Sequence, residues 1–331
     1  MPTPPYTVVM TAPRLAPQAA ALLQQAGAVL HTMRAYPSAE EVAALAAAVG
    51  ADAIISRQGP VTAAVMDAAP GLRVIARHDV GVDDVDVPEA TRRGILVTRT
   101  PGANTEAVAE HTLALLLALA KSLPGLSAGV AAGGWREGAM RVRDVAGLRL
   151  GLVGFGAIGR AVARLALPFG MRVLAHAPTP PEMPGVEAVG DLAELLPRAD
   201  ALSLHLPLRP DTRGLIGAAE LAVLPAGAFV LNTSRGGLVD EAALLAALES
   251  GHVAGAGLDV LPVEPPTEPV PELLRAYRAR EPWLHGRLVV TPHSAYLTPE
   301  AHHDIRVKSA ETMRAALLLG QPQNVIAPEM H

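Results

Sequence analysis

The stretch Leu150-Gly-Leu-Val153, followed at once by Gly154-Phe-Gly156-Ala-Ile-Gly159, decides the architecture. A short apolar run that ends in G-x-G-x-x-G is a strand turning sharply into a helix. The first glycine makes the turn, the second lets a pyrophosphate approach the backbone, and the third packs helix on strand. The continuation agrees, because Ile158, Val162, Leu165, Ala166 and Phe169 recur at helical spacing before Gly170 closes the helix. Phosphate charge would then face the helix N-terminus, where unpaired N–H groups point outward. Three glycines alone are a weak signal, but here a strand, a helix and a second apolar run, Arg172–Ala175, follow in register. The reading is a Rossmann-type dinucleotide site for NAD or NADP.

The same alternation extends in both directions. Upstream, Thr7–Met10, Ala28–Leu30, Ala53–Ser56, Val74–Ala76 and Ile95–Val97 read as strands. Between them lie helical patterns at Pro17–Gln25, Ala39–Ala48, Val61–Ala68 and Asp84–Arg93, a βα repeat that implies a mostly parallel sheet. Downstream, Ala201–Leu206, Phe229–Leu231, Gly255–Leu258 and Leu288–Val290 continue the second series. Asn104 offers an N-cap to a helix, Ala107–Lys121, that is apolar almost all round and bridges the two series. An amphipathic helix over about Pro299–Leu319 lies beyond the last strand, where it can return to the first series. The chain of 331 residues is thus expected to form two α/β units.

Composition narrows the chemistry. With no cysteine, thiolate nucleophiles, thiolate zinc sites and iron–sulfur clusters are all excluded. Half the residues are hydrophobic, yet the longest charge-free apolar stretch, Thr112–Ala120, falls far short of the ~20 residues of a spanning helix, so no membrane is expected. The net charge of −5 and the lack of a basic run argue against nucleic acid, leaving a small-molecule partner. The start, Met1-Pro-Thr-Pro-Pro-Tyr6, has no secretory pattern, so the expected location is cytoplasmic.

Three further strand ends carry polar groups: Asn232-Thr-Ser-Arg-Gly-Gly237, Asp259-Val-Leu-Pro-Val-Glu-Pro-Pro266 and Thr291-Pro-His-Ser-Ala-Tyr296. Ligands of open parallel sheets bind beyond the carboxyl ends of the strands, so these loops should converge with the glycine turn. Arg235 offers a planar fork for a substrate carboxylate and can polarise a keto oxygen. His293 would give a proton to the developing alkoxide, and Glu264 beside it would favour imidazolium. The strand Arg172–Ala175 ends in His176-Ala-Pro-Thr-Pro-Pro181, with Ala177 where a ribose-binding acid is usual. Nothing there repels a 2′-phosphate, and no Arg or Lys from His176 to Met183 attracts one, so NAD versus NADP stays open.

From about Leu72 onward the sequence resembles the D-isomer-specific 2-hydroxyacid dehydrogenases. The resemblance rests on Gly81-Val-Asp83, Thr100-Pro-Gly-Ala-Asn-Thr105, Val108-Ala-Glu-His111, the glycine turn, His205-Leu-Pro-Leu208 with Thr212-Arg-Gly-Leu-Ile216, Asn232–Asp240, Gly257-Leu-Asp259 with Glu264-Pro265, and Thr291-Pro-His293. It implies a Rossmann NAD(P)-binding domain, 103–296, inserted in a flavodoxin-like substrate domain, 1–102 and 297–331. It implies Arg235, Glu264 and His293 as the catalytic set, with Asp259 near the nicotinamide. Leu206, Pro207, Thr212, Thr233 and Ser234 would line that half of the cofactor, Ala157 and Ile158 the pyrophosphate, and His176 and Ala177 the adenosine side. Backbone N–H groups near Val80 and Gly81 would hold the substrate, with Arg235 and Tyr296 also substrate-binding, and Asp79 departs there from a usual small residue. Tyr296 and the insert Glu268–Leu288 resemble the branch related to C-terminal-binding proteins, which makes a dinucleotide-sensing scaffold the rival to an enzyme acting on glyoxylate- or hydroxypyruvate-like 2-oxo acids.

Other residues receive plainer readings. His302 and His303 diverge around a helix and have no partners at ligand spacing, so no metal is expected. Ser234 lacks the G-x-S-x-G elbow of a hydrolase. Arg77 and His78 are either a surface pair or readers of a polar substrate tail. Trp135, after Ala131-Ala-Gly-Gly134, lies where family members form a dimer contact, so the chain is expected to be a homodimer; packing inside one subunit is the other option.

Overall fold

The structure is a computed structural model that describes residues 6–78, 81–82, 84–135 and 142–326. It divides into two compact units, Met1–Asn104 with Thr298–His331, and Thr105–Leu297. The first runs β1 (Tyr6–Met10), α1 (Pro17–Gln25), β2 (Ala28–Thr32), α2 (Ala39–Val49), β3 (Ala53–Ser56), α3 (Ala63–Ala68), β4 (Val74–Arg77), α4 (Val87–Arg92) and β5 (Leu96–Thr98). The five strands are parallel in the order β2-β1-β3-β4-β5, the flavodoxin-like arrangement. Local chemistry sets the helix ends. In α2, for example, Ser38 accepts from the Glu41 N–H while the Glu41 carboxylate accepts from the Ser38 N–H, and Gly50 closes the helix at φ +62°.

Two helices start later than their apolar periodicity suggests. Val61 forms a bridge to Val85, so α3 begins at Ala63. Asp84 is committed to Arg77 at 3.1 Å and to the Ser56 hydroxyl at 3.2 Å. Asp86 therefore caps α4, accepting from Glu89 N–H.

The second unit runs α5 (Thr105–Ala120), α6 (Leu123–Ala131), β6 (Arg149–Val153), α7 (Ala157–Ala166), β7 (Arg172–His176), β8 (Val186–Ala188), α8 (Leu192–Leu195), β9 (Ala201–Leu204), α9 (Ala218–Val223), β10 (Ala228–Asn232), α10 (Glu241–Glu249), β11 (Val253–Leu258), α11 (Glu272–Ala279) and β12 (Leu288–Val290). Its parallel sheet has the order β12-β11-β10-β9-β6-β7-β8. The order reverses between β6 and β9, which places the ligand crevice at their carboxyl ends. Apolar layers cover both faces: Leu116, Leu150, Leu152 and Leu231 on one, Leu195, Leu202, Val230 and Leu244 on the other. The insert 268–288 is part of this unit, since Leu273, Leu274 and Leu284 are buried. Arg287 anchors it by donating to the carbonyls of Ala254, Trp283, Leu248 and Val253.

The chain then returns through α12 (Pro299–Leu318), capped by Thr298, to the first unit, where Met313 and Leu317 pack with Val8 and Met10. Among the described residues no single helix is long and apolar enough to cross a membrane.

Candidate active site

The site begins at the turn from β6 into α7. Gly154 has φ +96°, and a Cβ there would lie 2.3 Å from the carbonyl oxygen of His205 at the end of β9. Only glycine lets the two strand ends meet so closely. A Cβ on Gly159 would lie 2.4 Å from the Gly154 oxygen, which fixes α7 against the turn. Gly156, the N-cap, faces open space: a Cβ would meet nothing within 4 Å, and no side chain caps the first turn. The amides at the start of α7, over Ala157 and Ile158, are thus left for an anion, and the turn fits a dinucleotide pyrophosphate. On the neighbouring strand His176 accepts the Gly154 N–H on its carbonyl at 2.8 Å. Its Nδ1 lies 3.1 Å from the Val189 oxygen, with half-buried Ala177 next to it.

The loops after β9 and β10 are tied together. The Ser234 hydroxyl donates to the Leu206 carbonyl at 2.6 Å. The Thr212 hydroxyl donates to the Pro207 carbonyl at 2.9 Å and accepts from Arg209 N–H at 2.7 Å, so Thr212 shapes the loop by bonding it to itself. Asn232, which opens the Asn232–Asp240 motif, accepts from Ser234 N–H at 3.0 Å and donates to the Arg235 carbonyl at 2.8 Å. It therefore sets the backbone that carries the arginine. The next residue, Gly236, has no room for a side chain, because a Cβ would lie 2.0 Å from the Leu261 carbonyl carbon. The loop after β11, which carries Glu264, crosses there.

Glu264 spans two contacts. One oxygen accepts from Leu261 N–H at 2.7 Å, and the other lies 2.5 Å from His293 Nδ1. This contact raises the His293 pKa above its ordinary value; burial and the Arg235 charge act against it, and Asp259 acts with it. With Nδ1 held by a carboxylate, Nε2 is left as the donor toward a ligand. His293 sits at φ +50°, in the left-handed region, and the Tyr296 ring stands edge-on to it with centroids 6.0 Å apart.

Asp259, expected near the nicotinamide, is 1% exposed and turns its carboxylate into the loop after β12. It accepts from the Thr291 hydroxyl at 2.5 Å, Ser294 N–H at 2.8 Å and Ala295 N–H at 2.9 Å, while its carbonyl accepts from His293 N–H at 2.7 Å. The aspartate thus builds the loop that presents His293. His205 is also structural: its Nε2 lies 2.8 Å from the Ser203 hydroxyl, and burial pushes the ring down to about 4, hence neutral.

Arg77 and His78, in the other unit, are not a surface pair. The Arg77 guanidinium is spent on the carbonyls of Ser56, Arg57 and Gly81 and on Asp84. His78 is 5% exposed, with Nδ1 3.0 Å from the Ser309 hydroxyl. The substrate-cradle expectation for Val80, and Asp79 beside it, lies outside the described residues. No group of three or more metal-ligating side chains occurs among the described residues. Trp135 is 74% exposed, which overturns packing inside one subunit.

Comparison with known proteins agrees with this arrangement. Residues 113–295 match the family described as D-isomer specific 2-hydroxyacid dehydrogenase, NAD binding domain. The chain is 40% identical over 316 residues to D-3-phosphoglycerate dehydrogenase of Mycobacterium tuberculosis strain H37Rv, covering 94% of this chain but only 57% of that longer protein. It is 38% identical over 251 residues to hydroxypyruvate reductase of Thermotoga maritima, covering 76% of this chain and 79% of that one. A solved structure of an NADPH-dependent glyoxylate/hydroxypyruvate reductase from Sinorhizobium meliloti, in complex with NADP and malonate, superposes with a TM-score of 0.82 at 30% identity over 97% of each chain. Fold, glycine turn and family match agree: this chain belongs to the D-isomer-specific 2-hydroxyacid dehydrogenase family.

Proposed function

We propose that this protein interconverts a small 2-oxo acid and the corresponding D-2-hydroxy acid with NAD or NADP. The observation that carries the reading is the set of strand-end loops that places Arg235 and the His293–Glu264 pair beyond the same sheet as an open glycine turn. A bound nicotinamide supplies or takes up the hydride. Arg235 binds the substrate carboxylate through its fork and draws electron density onto the keto oxygen. His293, as imidazolium, gives its Nε2 proton to that oxygen as it becomes an alkoxide, and takes it back in the reverse direction. Glu264 holds the ring in place and balances its charge. Retention of this set favours an enzyme over the scaffold reading, since sensing alone needs only the dinucleotide turn.

Glyoxylate- and hydroxypyruvate-like acids are the proposed substrates, supported by the named activities of the relatives. The test is chiral analysis of the product when NADH or NADPH is offered with hydroxypyruvate, pyruvate or phenylpyruvate. The D-hydroxy acid supports the reading, and the L-isomer or no product rejects it. Since Ala177 leaves the ribose 2′ position without a carboxylate, Ala177→Asp is expected to shift the NADH:NADPH affinity ratio toward NADH. The proposed assembly is a homodimer through the exposed apolar face of α6 and its neighbours. There Leu123, Val130, Trp135 and Val142 are each more than half exposed beside a cavity of about 880 Å³.

A further inference from the structure

We propose that the adjacent residues His111 and Thr112 on α5 are positioning residues that hold the two loops presenting His293 and Arg235. The proposal rests on the catalytic reading of those two residues above and adds the groups that keep them in place. His111 Nε2 lies 3.0 Å from the Thr291 hydroxyl and 3.6 Å from Asp259 Oδ1. The only proton on that hydroxyl goes to Asp259 at 2.5 Å, so His111 must donate from Nε2. The resulting chain, His111 to Thr291 to Asp259, ends on the carboxylate that also gathers the amides of Ser294 and Ala295 around His293.

Thr112 makes the matching tie on the other side. Its hydroxyl donates to the Val108 carbonyl at 2.8 Å, so it accepts from the Thr233 hydroxyl at 2.9 Å. Thr112 is fully buried and Thr233 nearly so, which leaves no water to replace a lost bond. Thr233 belongs to the turn that Asn232 and Ser234 set around Arg235.

Two consecutive helix residues diverge by about 100°, so one helix reaches the loops after β12 and β10 at once. Hydrophobic packing of α5 on the sheet could be supplied by any apolar pair at these positions. A histidine and a threonine, each bonded to a strand-end loop, fix the separation of the proton donor from the carboxylate clamp. His111 does not itself reach the reacting atoms, because Thr291 and Asp259 stand between it and His293.

The test follows the His293 imidazole by NMR titration in the full-length protein, alongside the pH profile of 2-oxo acid reduction. The groups acting on His293 are Glu264, Arg235 and Asp259. In His111→Ala the His293 midpoint should fall toward that of an unpaired histidine, with kcat lowered about 10-fold and dinucleotide affinity unchanged. His111→Gln, which keeps a donor toward Thr291, should restore both. Thr112→Val should weaken binding of oxamate, a substrate-like carboxylate, and Thr112→Ser should restore it. A His293 midpoint unchanged in His111→Ala, or oxamate affinity unchanged in Thr112→Val, overturns the proposal whether or not the protein turns over. An inactive wild type with these shifts present would instead reject the catalytic reading alone.

Discussion

At the scale of single residues, the chemistry turns on one contact, the 2.5 Å approach of Glu264 to His293 Nδ1. It raises the histidine's pKa, so the imidazolium that the proposed reduction needs persists to higher pH than in an unpaired histidine. Reduction should therefore run fully below that raised pKa and decline as pH rises through it, while oxidation of the hydroxy acid shows the opposite trend. Glu264→Gln keeps the shape but removes the charge. Its decline in reduction should begin at lower pH, with about a tenfold loss at neutral pH for each unit by which the histidine falls. A pH profile of kcat for wild type and variant checks this; coincident profiles would show that Glu264 does not tune His293. The placement of Arg235, Glu264 and His293 in loops beyond strand ends was legible in the sequence, because strands of a parallel sheet read as apolar runs and the polar residues that follow them stand out. The hydrogen-bond partners of Asp259, Asn232 and His111 were not, because a motif names a residue without showing which way its side chain turns.

At the scale of elements, a close backbone crossing brings two loops of the candidate site together. Gly236 lets the turn after β10 pass under Leu261 and Pro262, and a methyl group there would meet backbone atoms on the loop that carries Glu264. Gly236→Ala is expected to leave the fold intact, with far-ultraviolet circular dichroism unchanged, and to lower kcat/KM by about 100-fold through misplacement of Glu264 against Arg235. Wild-type kcat/KM in that variant would show the crossing to be incidental. The βα alternation was legible because buried parallel strands read as apolar runs. Helix starts were less so, because tertiary partners decide them: Val61 has the helical period but pairs with Val85, and Asp84 resembles a cap but serves Arg77. Helix α6 is hard to read from the sequence, because Gly125 and Gly129 weaken its propensity and most of its surface is exposed.

At the scale of the whole molecule, a buried neutral histidine couples stability to pH. His78 is pushed down to about 3, first by burial and then by the charges of Arg57, Arg77, Arg306 and His302. The unfolded chain binds its proton near pH 6.5, so this contribution is complete above that value and is lost as pH falls toward 3. Between pH 6.5 and 5 the loss should be about 2 kcal/mol, and His78→Gln should flatten the dependence. Urea unfolding of both proteins at the two pH values measures it; equal slopes would contradict the assignment. The central claim is that the strand-end cluster of one α/β unit moves the proton that accompanies hydride transfer to a 2-oxo acid. Its most direct test is the rate of glyoxylate or hydroxypyruvate reduction by wild type and His293→Ala, each saturated with NADH or NADPH whose binding is measured separately by fluorescence. The account predicts unchanged dinucleotide affinity and a kcat at least about 100-fold lower in the variant; a variant that reduces the 2-oxo acid at the wild-type rate would contradict it.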